Sequence, residues 1–241
     1  MNIIVCDNYS ELSKTAAGIV AEAISGKKTC LGLATGSTPE GMYDCLAELY
    51  ESGKCDFSGV VTFNLDEYYP ISPDHPQSYR YYMNRRLFNR VNINKSNTHI
   101  PFGLAPDPEL ECAEYERQIA GAGGIDLQVL GVGANGHIGF NEPGDELMPL
   151  THLTELSKST IKANSRFFET VDEMPKKAIT MGIKTILTSR RIVVLVSGAV
   201  KHEALKKLFE GKITASWPIT FLNLHNDVTL ICDRGAYNGT S

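Results

Sequence analysis

The chain has 241 residues, a net charge of -5, 42% hydrophobic residues and 21% charged residues. A chain of this length buries about 70–75% of its surface on folding, so its core needs no disulfide or metal staple. The acidic balance argues against nucleic acid or an anionic membrane surface as the main partner; the N-terminus, MNIIVCDNYS, has no basic n-region or apolar h-region of a signal peptide, and no run of about 18 apolar residues is present to span a membrane.

Strand and helix patterns alternate along the chain. Ile3 to Cys6 reads as a strand. Ser10 to Ser25 reads as a helix with Leu12, Ala16, Ile19, Val20, Ala23 and Ile24 on one face and Gly26 as its stop. Cys30 to Ala34 is a buried strand, Pro39 to Tyr50 a helix, Val60 to Leu65 a strand and Ser78 to Phe88 a helix. Asp107 and Pro108 open another helix, as N-cap and first-turn proline. Ile125 to Leu130 is a strand, and Pro175 to Thr188 reads as a helix through Ile179, Ile183, Ile186 and Leu187. Ile192 to Val196 (strand), Val200 to Phe209 (helix) and Val228 to Cys232 (strand) complete the series. Continuous apolar strands between amphipathic helices predict an α/β fold: a three-layer αβα arrangement around a mostly parallel, doubly wound sheet, in one domain spanning 1–241. Ligands of such sheets bind beyond the carboxyl ends of the strands. The six cysteines form no CxxC pair, and several lie in apolar runs, as expected of reduced thiols in a cytoplasmic protein.

Three segments at strand ends carry chemistry. Thr35-Gly36-Ser37-Thr38-Pro39 joins a strand to a helix with a glycine and three hydroxyls. Free amides at a helix start make a phosphate cradle; the plainer role is a capped helix, with Thr38 as N-cap. Phe63-Asn64-Leu65-Asp66-Glu67-Tyr68 places two carboxylates after a buried strand. Successive residues of an extended chain point apart, so one of them can act alone as a general base, or the pair can simply end a surface strand. Gly131 to Gly144 contains GxGxxG after a strand. A dinucleotide fingerprint needs a helix next, and Asn141-Glu142-Pro143-Gly144 breaks the chain instead; Glu155, about 20 residues on, is read as ending no strand. The glycines rather let Asn135, His137 and Glu142 converge, a histidine and carboxylate tunable near neutral pH. Two cations complete the set, Arg166 and Lys201. Lys201 follows Ser197-Gly198 at a helix start, where a cation opposes the dipole unless an anion is there to be met.

LGLATGSTP, TFNLDEYY, GVGANGHIGFNEPG, ANSRFF and LHNDVTLICD together resemble the glucosamine-6-phosphate deaminase family, in the family's order and across nearly the whole chain. The resemblance implies conversion of glucosamine 6-phosphate and water to fructose 6-phosphate and ammonia, in amino-sugar catabolism, with no cofactor and no metal. It makes Asp66 the base that moves the C2 proton to C1. It makes His137 the ring opener, supported by Glu142 and Asn135. It assigns the phosphate to Gly36, Ser37, Thr38, Arg166 and Lys201. Asn135 stands where some members have Asp; it can accept a hydrogen bond from the imidazole but adds no charge. The implied partner is a small sugar phosphate, with no nucleic acid and no membrane; the oligomeric state is left open. The related 6-phosphogluconolactonases differ after the histidine, where a pattern like ASLFPG replaces IGFNEPG. A non-catalytic sugar-phosphate sensor of the same fold would usually lose the base or the histidine, and both are present. Members activated by N-acetylglucosamine 6-phosphate need cations shortly after NEP; Asp145 to Thr154 has no Lys or Arg, so no such activation is expected.

Overall fold

The computed structural model describes residues 1–26, 28–157, 160–161, 164–165, 168, 170 and 173–240. In chain order these form β1 (Asn2–Cys6), α1 (Tyr9–Ala23), β2 (Thr29–Leu33), α2 (Glu40–Glu51), β3 (Val60–Asn64), β4 (Asp66–Tyr69), α3 (Tyr79–Met83), β5 (Thr98–His99), α4 (Pro108–Gly121) and β6 (Leu127–Gly131). Then come β7 (His152–Glu155), β8 (Lys177–Thr180), α5 (Ile183–Leu187), β9 (Arg191–Val196), α6 (His202–Phe209), β10 (Val228–Asp233) and α7 (Arg234–Asn238). Among the described residues, seven strands form a parallel sheet in the order β1-β10-β9-β6-β2-β3-β5.

Apolar side chains leave both faces of this sheet, as its unbroken strand patterns require. From β9, Ile192, Val194 and Val196 join Leu205 and Leu208 of α6 and Tyr115 and Ile119 of α4 on one face. Val193 and Leu195 join Leu12, Ala16 and Val20 of α1 and Met42 and Leu46 of α2 on the other. Helices therefore cover both faces, in three αβα layers. Leu205 and Leu208 are almost wholly buried; such a leucine contributes about 1.5–3 kcal/mol, and here it also anchors the helix that Lys201 precedes.

The chain winds in one direction from β2 through β3 to β5 and in the other from β6 through β9 and β10. The direction changes between β2 and β6, and the loops after these two strands flank the resulting crevice, the usual ligand position in such sheets.

The helix expected over Pro175 to Thr188 is instead a strand followed by a short helix. β8 (Lys177–Thr180) pairs antiparallel with both β4 and β7 in a second, three-stranded sheet. The helical spacing of Ile179 with Ile183 was coincidental, because Gly182 divides the segment. A Cβ there would lie 2.3 Å from the Leu150 carbonyl oxygen, so the chain must pass as glycine. Glu155 does end a strand, β7, contrary to the sequence reading. That strand belongs to the antiparallel sheet, and no helix follows the glycine segment, so the dinucleotide pattern is still unmet. The strand expected to run to Leu65 stops at Asn64. Leu65 links the two sheets: its amide donates to Leu33 (3.0 Å) and its carbonyl accepts from the Met181 amide (2.7 Å). No helix among the described residues is long and apolar enough to cross a membrane.

Candidate active site

A cavity of about 770 Å³ lies at the crevice. Ala34 to Thr38 line it from the loop after β2, Gly131 to Asn135 and His137 from β6 and its loop, and Asp66 and Lys201 from two further sides. Of the residues singled out by the sequence, Asp66, Asn135, His137, Gly36, Ser37, Thr38 and Lys201 share this one space. Arg166 lies outside the described residues.

Asp66 opens β4 and stands opposite Thr180 of β8. It and Glu67 are buried rather than the ends of a surface strand, with relative exposures of 6% and 2%. Alternation along the strand separates them. Glu67 accepts the amides of Tyr68 (3.0 Å), Tyr79 (2.8 Å) and Arg80 (2.9 Å). Burial pushes its carboxyl up to about 7, against the pull of these amides and the Arg80 guanidinium. Asp66 faces the cavity, and burial, with the neighbouring Glu67 charge, pushes its carboxyl up to about 8. A carboxylate held at such a value is an effective base near neutral pH.

The loop after β6 places His137 against Glu142, Nδ1 to Oε2 at 3.5 Å. Glu142 is wedged behind the imidazole: Asn135 Nδ2 donates to its Oε2 at 2.8 Å and the Thr160 hydroxyl donates to its Oε1. Burial alone would raise the Glu142 carboxyl, but His137, Thr160 and Asn135 outweigh it and hold the group down at about 2. Asn135 does not accept from the imidazole as the sequence suggested. Its Oδ1 faces the His137 backbone amide at 3.3 Å, and its amide group goes to Glu142. The short Asn135–His137 spacing places the amide oxygen beside the His137 backbone. Gly133 makes the arrangement possible, because a Cβ there would overlap the imidazole at 2.3 Å. Gly139, at φ +58°, passes with its virtual Cβ 3.4 Å from Asp66 Oδ2.

The loop after β2 carries the candidate anion site. Thr38 is not the N-cap of α2: the helix starts at Glu40 after Pro39, without a side-chain cap. Pro39 is already in helical backbone conformation, one residue later than Thr38, which leaves the Thr38 hydroxyl free of that duty. The loop after β9 enters from the same sheet edge, and the two turn on glycines of like geometry, Gly36 at φ +94° and Gly198 at φ +90°. Asp233, at the end of β10, holds that second loop through the Ser197 hydroxyl (2.5 Å) and the Gly198 amide (3.1 Å). Lys201 follows in a short 3-10 turn, and burial lowers its ammonium pKa, with no carboxylate among the described residues to oppose it.

Several contributors were not legible in the sequence. Thr160 is brought to Glu142 from 18 residues away. Tyr68, Tyr79 and Phe140 form one wall, Tyr79 and Phe140 stacked with centroids 6.1 Å apart. Arg85 and Arg86 reach the rim from a π-helical turn, and Arg86 pairs with Glu40 at 2.7 Å. A Tyr- and Arg-containing helical pattern carries no sign that its residues meet a loop about 45 residues earlier.

The chain is 54% identical over 237 residues to glucosamine-6-phosphate deaminases of Thermoanaerobacter sp. (strain X514) and Clostridium perfringens (strain 13 / Type A), covering 98% of this chain and 94% and 98% of those proteins. Its fold matches the solved structure of a monomeric glucosamine-6-phosphate deaminase with a TM-score of 0.96 at 47% identity, over 99% of both chains. It matches the 6-phosphogluconolactonase of Thermotoga maritima less closely, with a TM-score of 0.74 at 25% identity over 96% and 98% of the two chains. The profile of the glucosamine-6-phosphate isomerases and 6-phosphogluconolactonases spans residues 7–231, and the chain belongs to that family.

Proposed function

We propose that this protein is a glucosamine-6-phosphate deaminase, which converts glucosamine 6-phosphate and water to fructose 6-phosphate and ammonia. The observation that carries the reading is the buried Asp66 carboxyl sharing one cavity with His137, which Glu142 backs at 3.5 Å. The Gly36–Thr38 loop and Lys201, with Arg166, take the phosphate, whose charge offsets the burial of the Lys201 ammonium. His137 accepts the proton of the anomeric hydroxyl and returns a proton to the ring oxygen, which opens the pyranose. Glu142 stabilises the imidazolium formed between these two transfers, and Asn135 and Thr160 hold Glu142 in place. Asp66 then removes the C2 proton from the open-chain aldose and delivers it to C1. The C1 oxygen gains a proton and the nitrogen loses one as the double bond moves to C2–N; water then adds to C2, and ammonia leaves as the ketone forms. Thus the atoms of one water appear in the product ketone and in ammonia, and Asp66 and His137 end as they began.

The six cysteines are all free, in keeping with activity in the reducing cytoplasm. The test is ammonia release from glucosamine 6-phosphate by the purified protein, with 6-phosphogluconolactone hydrolysis measured alongside. Lactone hydrolysis without ammonia release would replace the deaminase reading with a lactonase.

A further inference from the structure

The carbonyl oxygens of the candidate phosphate loop are tied down by three tyrosines from three different helices. Tyr43 of α2 donates its hydroxyl to the Ala34 carbonyl at 2.6 Å. Tyr82 of α3 donates to the Gly36 carbonyl at 2.7 Å. Tyr9, at the start of α1, donates to the Ser37 carbonyl at 3.0 Å and accepts the Gly41 amide at 2.9 Å. A trans peptide is planar, with its C=O and the following N–H on opposite sides. Fixing the Gly36 carbonyl therefore fixes the Ser37 amide, and fixing the Ser37 carbonyl fixes the Thr38 amide. Among the described residues, neither of these amides donates to a protein acceptor.

The weak point of such a loop is Gly36, whose backbone is free to adopt either sign of φ. A turn of the Gly36–Ser37 peptide would present a carbonyl oxygen to an incoming phosphate in place of an N–H. We propose that Tyr9, Tyr43 and Tyr82 are positioning residues that lock the loop with its amides available to an anion and its carbonyls turned away. The proposal rests on the reading that Gly36 to Thr38 hold the substrate's phosphate. Tyr9 separates this role from direct contact. It does not line the cavity, so any effect it has on phosphate must pass through the loop.

The experiment compares Tyr9→Phe and Tyr82→Phe with Tyr69→Phe. Tyr69 makes the same kind of bond, hydroxyl to the Ala105 carbonyl at 3.0 Å, away from the cavity. Binding of inorganic phosphate is measured by calorimetry, along with KM, kcat and melting temperature. Tyr9→Phe and Tyr82→Phe should each weaken phosphate binding and raise KM by about 3- to 10-fold, the scale of one net hydrogen bond, with kcat within about twofold. Tyr69→Phe should lower the melting temperature to a similar degree and leave both constants unchanged. The proposal is overturned if Tyr9→Phe and Tyr82→Phe behave like Tyr69→Phe, or if kcat falls while phosphate affinity holds. A wild-type protein that binds phosphate but releases no ammonia from glucosamine 6-phosphate would sink the deaminase reading alone, and the calorimetric shift would still decide the clamp.

Discussion

Glu67 accepts the Tyr79 backbone amide at 2.8 Å and so anchors the first turn of α3 to the strand that carries Asp66. The neighbouring carboxylates thus divide their work, one holding backbone and one facing the cavity. Glu67→Ala should lower unfolding free energy by about 1–3 kcal/mol for each buried amide left without an acceptor. Glu67→Gln, which keeps one acceptor oxygen, should lose less. Urea denaturation monitored by circular dichroism measures both, and equal stability of wild type and Glu67→Ala would show that water replaces the carboxylate.

Asp66→Asn should reduce exchange of the C2 proton with solvent on the order of 10²–10⁴-fold, the usual loss of a positioned base. The wild-type carboxyl is raised to about 8 and, as the proposed base, must be ionised to act. Its kcat/KM should therefore climb as pH rises toward that value, and an unchanged proton exchange in the variant would remove Asp66 from the mechanism.

The same carboxyl makes stability depend on pH. Its folded pKa lies above its unfolded value near 4, so the stabilising contribution is full below the unfolded pKa and disappears as pH rises through about 8. Glu67, raised to about 7, acts in the same direction. Wild type should lose stability from pH 5 to pH 9, and Asp66→Asn should lose less, by on the order of a few kcal/mol at the alkaline end. Parallel stability curves for the two proteins would contradict this.

Glu142 has the opposite sign. Its folded pKa is held at about 2, so its contribution is present above the unfolded value near 4 and is lost as pH falls toward about 2. Glu142→Gln should flatten the acid limb of the stability curve. It should also slow turnover of the cyclic substrate more than proton exchange on an open-chain analogue, because in the proposed mechanism Glu142 supports the imidazolium formed in ring opening. Equal slowing of both reactions would move His137 and Glu142 to the isomerisation step.

Lys201→Ala should raise KM for glucosamine 6-phosphate by about 10- to 100-fold, the scale of a charge-assisted hydrogen bond of about 1.5–3 kcal/mol. Activity on unphosphorylated glucosamine, expected to be poor in the wild type, should not change. A variant impaired equally on both substrates would place Lys201 outside phosphate binding.

The strand–helix alternation, the loops after β2, β6 and β9, and the motifs around Asp66 and His137 were legible in the sequence because each is local: periodicity, caps and glycines act within a few residues. Glu142 could be named because it lies five residues from His137, but not the Thr160 bond that helps to hold it. The strand nature of Lys177–Thr180 could not be read, since its partners Asp66–Tyr69 and His152–Glu155 both lie beyond its local sequence and Ile179 falls in helical register with Ile183 and Ile186. Apart from the family resemblance, which already named Asp66, only tertiary structure decides which carboxylate of Asp66 and Glu67 meets the cavity. The sequence supplied two equivalent acids; the amides of Tyr79 and Arg80, delivered by packing of α3, capture one and leave the other desolvated beside the cavity.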